Sequence, residues 1–170
     1  MAVCILPLVF LLVLPAVVQA QFTFTTNNGA ITITKHTGSG GAVIIPSTTN
    51  GYPVTSIGDD AFESSSVTSV TIGANVTTIG EYAFDDCESL TSVTIPNNVT
   101  KIGSFTFQSC TSLTNAIIGS GVTSIGEEMF EDCTKLTSVM IPSSVTSIGN
   151  AAVNDCFSLT SVTMGANVKP

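Results

Sequence analysis

Residues 76–98 read VTTIGEYAFDDCESLTSVTIPNN and residues 99–121 read VTKIGSFTFQSCTSLTNAIIGSG, the same pattern written twice in succession. Val, Ile, Gly, Phe, Cys, Leu and a second Ile hold their places while the residues between them change. Followed outward, the pattern occupies most of the chain. Val54, Val76, Val99, Val122, Val145 and Val168 each open a unit, at separations of 22, 23, 23, 23 and 23 residues. Cys87, Cys110, Cys133 and Cys156 keep the same interval, and Ile79, Ile102, Ile125 and Ile148 keep it too, each followed by Gly. Self-similarity at a fixed period of this length marks a stacked-coil architecture in which each repeat is one turn of a solenoid.

Within a unit the apolar residues do not follow helical spacing. Ser92-Val93-Thr94-Ile95 alternates polar and apolar residues, is rich in β-branched side chains and is closed by Pro96, which is a strand signal. Val76-Thr77-Thr78-Ile79 is a second short extended piece ended by Gly80, and residues 81–87 between the two read as a single helical or 3₁₀ turn. The predicted fold is a repeat solenoid of the leucine-rich-repeat kind, mainly parallel β with one such turn per ~23-residue coil. The constant side chains then point inward and meet their equivalents above and below, while the drifting positions face water. One coil alone buries too little apolar surface to offset the conformational entropy of ordering it, so its neighbours must supply the remainder.

The segment before the repeats has its own logic. Phe22-Thr-Phe-Thr-Thr, Asn27-Asn28-Gly29 and Ala30-Ile-Thr-Ile-Thr34 spell a β-hairpin, because Asn-Gly suits the positive φ of a type I′ turn. Gly38–Gly41 reads as a flexible loop without the Gly-Lys-Ser/Thr ending of a phosphate loop, and residues 42–46 imitate residues 92–96. The expected organisation is a signal peptide at 1–20 and an N-terminal β-hairpin cap with half a coil at 21–53. Five repeats follow at 54–75, 76–98, 99–121, 122–144 and 145–167, and the start of a sixth closes the span 54–170. The first unit is a residue short and has no Cys, and the fifth places Val153 in the Phe column; atypical terminal repeats are expected of such arrays.

The first twenty residues form an apolar run ending in Val18-Gln19-Ala20, small residues that suit cleavage before Gln21 and export. The run is interrupted by Pro7 and Pro15 and is too short to favour a spanning helix, so no membrane span is expected after cleavage. The net charge is −8 and the only cations besides the terminus are four Lys, which excludes a phosphate-rich nucleic-acid partner. All twelve acids fall between the Ile-Gly corner and the Leu of their units: Asp59, Asp60, Glu63, Glu81, Asp85, Asp86, Glu88, Glu127, Glu128, Glu131, Asp132 and Asp155. They read as a solvated edge. A calcium ladder would be interrupted, because the third unit carries SFTFQSC at this place and has no acid.

Coils spaced about 4.8 Å apart put stacked Cβ atoms somewhat beyond the ~3.5–4.5 Å that disulfides prefer. The four repeat cysteines therefore read as free, buried, small hydrophobes, with Cys87–Cys110 and Cys133–Cys156 bridges as the alternative. Zinc is not expected without His in the column or a CxxC spacing, and no other cofactor is implied. His36, the single histidine, has no recognisable nucleophile partner in the sequence, so no enzymatic activity is expected. Asn75-Val76-Thr77 and Asn98-Val99-Thr100 are glycosylation sequons that also serve as repeat corners.

The stretch carried by residues 76–96, Val-Thr-x-Ile-Gly-x-x-Ala-Phe-x-x-Cys-x-x-Leu-x-x-Val-x-Ile-Pro, closely resembles the BspA-type leucine-rich repeat of bacterial secreted and surface proteins. The resemblance spans residues 54–168. It implies a parallel β-solenoid, a secreted or cell-surface location and a role in adhesion or protein binding, with no catalytic residues to carry over.

The strand positions expected to face outward are Ser69/Thr71, Ser92/Thr94, Asn115/Ile117, Ser138/Met140 and Ser161/Thr163. Of these, Ser92, Thr94, Asn115, Ile117, Ser138, Met140, Ser161 and Thr163 form the candidate binding surface for a protein partner or an extracellular polymer. A regular Ser/Thr array could also order water and bind ice, but Ile117 and Met140 break it in the middle and instead make an apolar patch. A further alternative is a structural, self-associating module, or a fragment of a larger surface protein, in which the uncapped coil after Val168 stacks on another chain.

Overall fold

Equal spacing of equal residues dictates a stack, and the computed structural model, which describes residues 21–168, is one. The expected signal peptide lies outside the described residues. The hairpin strands β1 (Phe22–Asn27) and β2 (Ala30–His36) are followed by β3 (Gly41–Ile44), β4 (Thr48–Thr49) and β5 (Tyr52–Ile57). The coils then alternate a longer strand with a two-residue one: β6 (Val67–Thr71), β7 (Thr78–Ile79), β8 (Ser92–Ile95), β9 (Lys101–Ile102), β10 (Asn115–Ile118), β11 (Ser124–Ile125), β12 (Ser138–Ile141), β13 (Ser147–Ile148) and β14 (Ser161–Met164). The longer strands form one parallel sheet in the order β14-β12-β10-β8-β6-β3. The short strands extend a second sheet, β1-β2-β5-β7-β9, with β11-β13 as a separate pair.

The hairpin turns at Asn28 (φ 49) and Gly29 (φ 76), as the Asn-Gly signal requires. Its second strand runs parallel to β5, which joins the cap to the first coil, and β3 pairs with β6 at Val43↔Val70 and Ile44↔Thr71. Residues 42–45 are thus the first rung of the main sheet.

The turn segment behaves differently from a helical turn. Tyr82 and Asp86 have φ of 51 and 55, and the two equivalent positions are left-handed in every coil from Asp60 and Ser64 to Ala151 and Asp155. Interleaved left-handed residues aim the amides along the stack. Accordingly Tyr82, Phe84 and Asp86 donate their N–H groups to the carbonyls of Ser104, Thr106 and Gln108 in the next coil, at 3.2, 2.9 and 3.0 Å. This edge is a third inter-coil ladder, and it satisfies backbone groups that a short helix would leave unpaired.

The core is a set of columns. Phe62, Phe84, Phe107 and Phe130 are fully enclosed, with successive ring centroids 4.7, 5.2 and 5.7 Å apart and nearly parallel planes. His36 continues the column at 5.1 Å above Phe62, with Phe22 edge-on at 6.0 Å. The cysteines are free and buried. Each thiol donates to the carbonyl of the Phe in the preceding coil: Cys87 to Phe62, Cys110 to Phe84, Cys133 to Phe107 and Cys156 to Phe130, at 3.0–3.2 Å. A small apolar side chain with one weak donor fits this place better than Ala or Val would, because it also satisfies a buried carbonyl.

Some positions that drift in polarity or face water still hold the stack. Thr91, Thr114, Thr137 and Thr160 are exposed, yet each Oγ1 donates to the backbone carbonyl of the Thr one coil before, at 3.0–3.1 Å. After the main strand the column reads Pro46, Gly73, Pro96, Gly119, Pro142, Gly165. A Cβ on Gly119 would lie 2.6 Å from the Ile95 oxygen and the Pro96 carbonyl carbon, so a glycine must follow each proline in the stack.

Candidate functional site

The main sheet decides which side chains reach solvent. Period-two alternation sends Val93, Ala116 and Val139 inward, each 2% exposed, and turns their neighbours outward. Register pairs Asn115 with Ser92 and Ser138, and Ile117 with Thr94 and Met140. Ser138 and Met140 pair in turn with Ser161 and Thr163. The eight candidate residues therefore form two straight outward columns. Ile117 and Met140 are adjacent in register, 50% and 65% exposed.

Asn115, Ile117, Ser138, Met140, Ser161 and Thr163 line one shallow depression of about 440 Å³. Ser92 and Thr94 line another, with Ser69 and Thr71, of about 320 Å³. Ile44, 61% exposed, heads the same column two coils from Thr94 and also lies beside a depression, of about 470 Å³. Sequence reasoning did not count it, although the likeness of residues 42–46 to residues 92–96 was the signal for it. The face from Ala42 to Thr163 carries hydroxyls, one amide and three large apolar side chains, and no charge. Such a surface can bury apolar area without first desolvating an ion.

The acids lie away from this face, on the turn edge. Gln108 in the acid-free coil donates to Glu128 and Glu131 at 3.0 and 2.7 Å, and Asn154 donates to Glu131 at 3.0 Å. Those donors favour ionised Glu131 and hold its pKa down, Asn154 foremost, whereas the neighbouring Glu131 raises that of Glu128. Burial, followed by the charges of Asp86, Glu63 and Asp60, pushes Asp85 up to about 6 against the Asp86 backbone hydrogen bond. Among the described residues no group of three His, Cys, Asp or Glu side chains is placed to hold a metal ion, and no helix is long and apolar enough to cross a membrane.

Burial drives the Cys87 thiol up to about 12 and Cys156 to about 11, with Cys110 and Cys133 also raised, so the ladder consists of protonated thiols at neutral pH. Asn75, exposed, donates its side-chain amide to the Ser47 carbonyl at 2.9 Å, and Asn98 bonds the Val76 carbonyl in the same way. Both sequons are thus corner hydrogen bonds in the fold.

His36 is a correction to the sequence reading. It does meet a hydroxyl: Nδ1 lies 2.8 Å from Ser65 Oγ, a residue 29 positions away that the repeat pattern could not pair with the cap. The ring is 8% exposed, Nε2 has no hydrogen-bond partner among the described residues, and burial lowers its pKa. Gly38 is what leaves room for it, since a Cβ there would sit 2.7 Å from Nε2.

Residues 55–170 match the BspA type leucine-rich repeat region in 6 copies. The crystal structure of a leucine-rich repeat protein from T. pallidum is 32% identical, with a TM-score of 0.81 over 84% of this chain and 68% of that one. A leucine-rich cell surface protein from Faecalibacterium prausnitzii is 31% identical, with a TM-score of 0.58 over 84% of this chain and 52% of its own length. A leucine-rich repeat protein from Bacteroides capillosus is 26% identical, with a TM-score of 0.53 over 85% of this chain and 94% of that one. No curated protein matches.

Proposed function

The chain belongs to the BspA-type leucine-rich repeat family, and from that premise we propose that it is an exported, non-enzymatic protein-binding or adhesion module whose contact surface is the outward face of the main sheet. The observation that carries this reading is the adjacency of Ile117 and Met140, half or more exposed and in register on a face without charge. Covering large apolar side chains on a strand that is already ordered removes them from water without ordering any backbone, and the flanking Ser, Thr and Asn groups supply orientation through hydrogen bonds. The F. prausnitzii neighbour is described as a cell surface protein, which agrees with display outside the cell.

The test is binding of the purified protein to immobilised cell-surface and matrix proteins and polysaccharides, compared with the Ile117→Ser/Met140→Ser variant. Loss of the strongest signal in the variant is the expected result. Undiminished binding of every partner would sink the assignment of this face. Export is checked separately, by fusing residues 1–20 to a reporter and finding it cleaved outside the cell.

A further inference from the structure

The second residue after the corner glycine is Asp60, Tyr82, Phe105, Glu128 and Ala151 in successive coils. All five are left-handed, with φ of 55, 51, 59, 50 and 52. Asp tolerates that conformation because its short side chain bonds locally, whereas a bulky aromatic residue is out of place there. Tyr82 and Phe105 nevertheless occupy it in adjacent coils. Their rings stack at 4.6 Å with planes 3° apart, half-buried and separate from the core Phe column. One coil to either side the column continues with a carboxylate, Asp60 beyond Tyr82 and Glu128 beyond Phe105. Behind the effect of burial, the negative field of Glu81, Asp85, Glu128 and Asp60 raises the Tyr82 phenol pKa, so these four groups surround the ring electrostatically.

We propose that the Tyr82–Phe105 pair is a docking platform for a cationic side chain of a basic peptide segment in a protein partner. Aromatic π faces and rims of this kind attract guanidinium and ammonium groups, and guanidinium in particular lies flat on a ring while its N–H groups reach carboxylates at the edge. Charge complementarity selects the occupant: an acidic segment or a phosphate would meet four carboxylates, and the chain as a whole carries −8. The protein then offers two surfaces of different chemistry, a neutral sheet face and, on the turn edge, a cation-selective one.

The platform is tested by isothermal titration of the whole protein with a short Arg-Gly repeat peptide, its Lys-Gly counterpart and its Glu-Gly counterpart, at near-physiological salt. Ala151 shows that Ala is accommodated in this column at φ 52, so Tyr82→Ala/Phe105→Ala leaves a foldable chain of unchanged charge. The expected result is binding of the Arg peptide in preference to the Lys peptide, weakened roughly five- to tenfold in that variant, the size of losing cation–π contact with two half-buried rings. Glu128→Gln is expected to weaken it too, and Ile117→Ser/Met140→Ser to leave it unchanged. Equal binding by wild type and Tyr82→Ala/Phe105→Ala would reduce the effect to general attraction for an acidic chain and overturn the proposal. So would absence of Arg-peptide binding, loss of binding in the sheet-face variant, or preferential binding of the Glu peptide or of choline-headgroup vesicles.

Discussion

Replacing Phe107 with Ala removes an interior ring of the aromatic column and tests the stacking principle directly. Phe107 has no exposed surface, and its ring lies between Phe84 at 5.2 Å and Phe130 at 5.7 Å. Truncating a buried Phe to Ala costs about 3–5 kcal/mol, and stacked aromatic pairs add ~0.5–1.5 kcal/mol each beyond burial. The rigid coils on both sides limit collapse into the void, so the upper part of that range, about 4–5 kcal/mol, is expected. Such a loss is a large share of the total stability of about 5–15 kcal/mol typical of a domain. Because each coil touches only its neighbours, the damage is predicted to split the cooperative unit at the third repeat. Urea unfolding followed by far-UV circular dichroism should show an earlier and broader transition, and hydrogen exchange should accelerate most in β8, β10 and β12. The control is Phe157→Ala: that ring is 79% exposed, and the change is expected to cost within about 0.5 kcal/mol. If Phe107→Ala cost less than about 1 kcal/mol, or no more than Phe157→Ala, the column would not be what holds the coils together.

Three further outcomes follow from particular contacts. Gly119→Ala is expected to cost more than about 1 kcal/mol, because its Cβ meets backbone atoms of Ile95 and Pro96 at 2.6 Å and neither can rotate away; a neutral effect on the urea midpoint would refute the Pro–Gly alternation. The pH dependence should have two limbs of opposite sign. His36, held below its ordinary 6.5 by burial, contributes stability that is full above 6.5 and is lost as pH falls from there toward its lowered folded value, a limb that His36→Phe should abolish. Asp85, raised from 3.8 to about 6, works the other way and adds stability as pH falls through that window. Asp85→Asn should therefore stabilise the protein at pH 7, by about 1 kcal/mol once solvent screening of this half-buried group is discounted, and a destabilised variant would contradict the reading. Finally, native-state alkylation read by mass spectrometry should label Cys156 first, since it is 9% exposed while Cys87, Cys110 and Cys133 have no exposed surface; rapid uniform labelling would mean that the ladder is open.

The period alone determined the stack, the inward columns of Phe62, Phe84, Phe107 and Phe130, the burial of the cysteines and the outward direction of Ile117 and Met140. A solenoid places identical positions in contact, so a one-dimensional repeat carries three-dimensional neighbours with it. The hairpin was legible for a local reason, since Asn28-Gly29 supplies the positive φ of its own turn. Tertiary structure decided what lies between coils or outside the repeat. The left-handed residues of the turn edge turn their amides into the next coil, which no propensity of residues 81–87 announces. The hydrogen bonds of Thr91 and its equivalents, and the fit of Gly119 on Pro96, depend on how closely two backbones approach. The meetings of His36 with Ser65 and of Tyr82 with Phe105 add side-chain orientation to that requirement. Sequence spacing sets which residues are level with one another, but the distance and angle between coils come only from the packed whole.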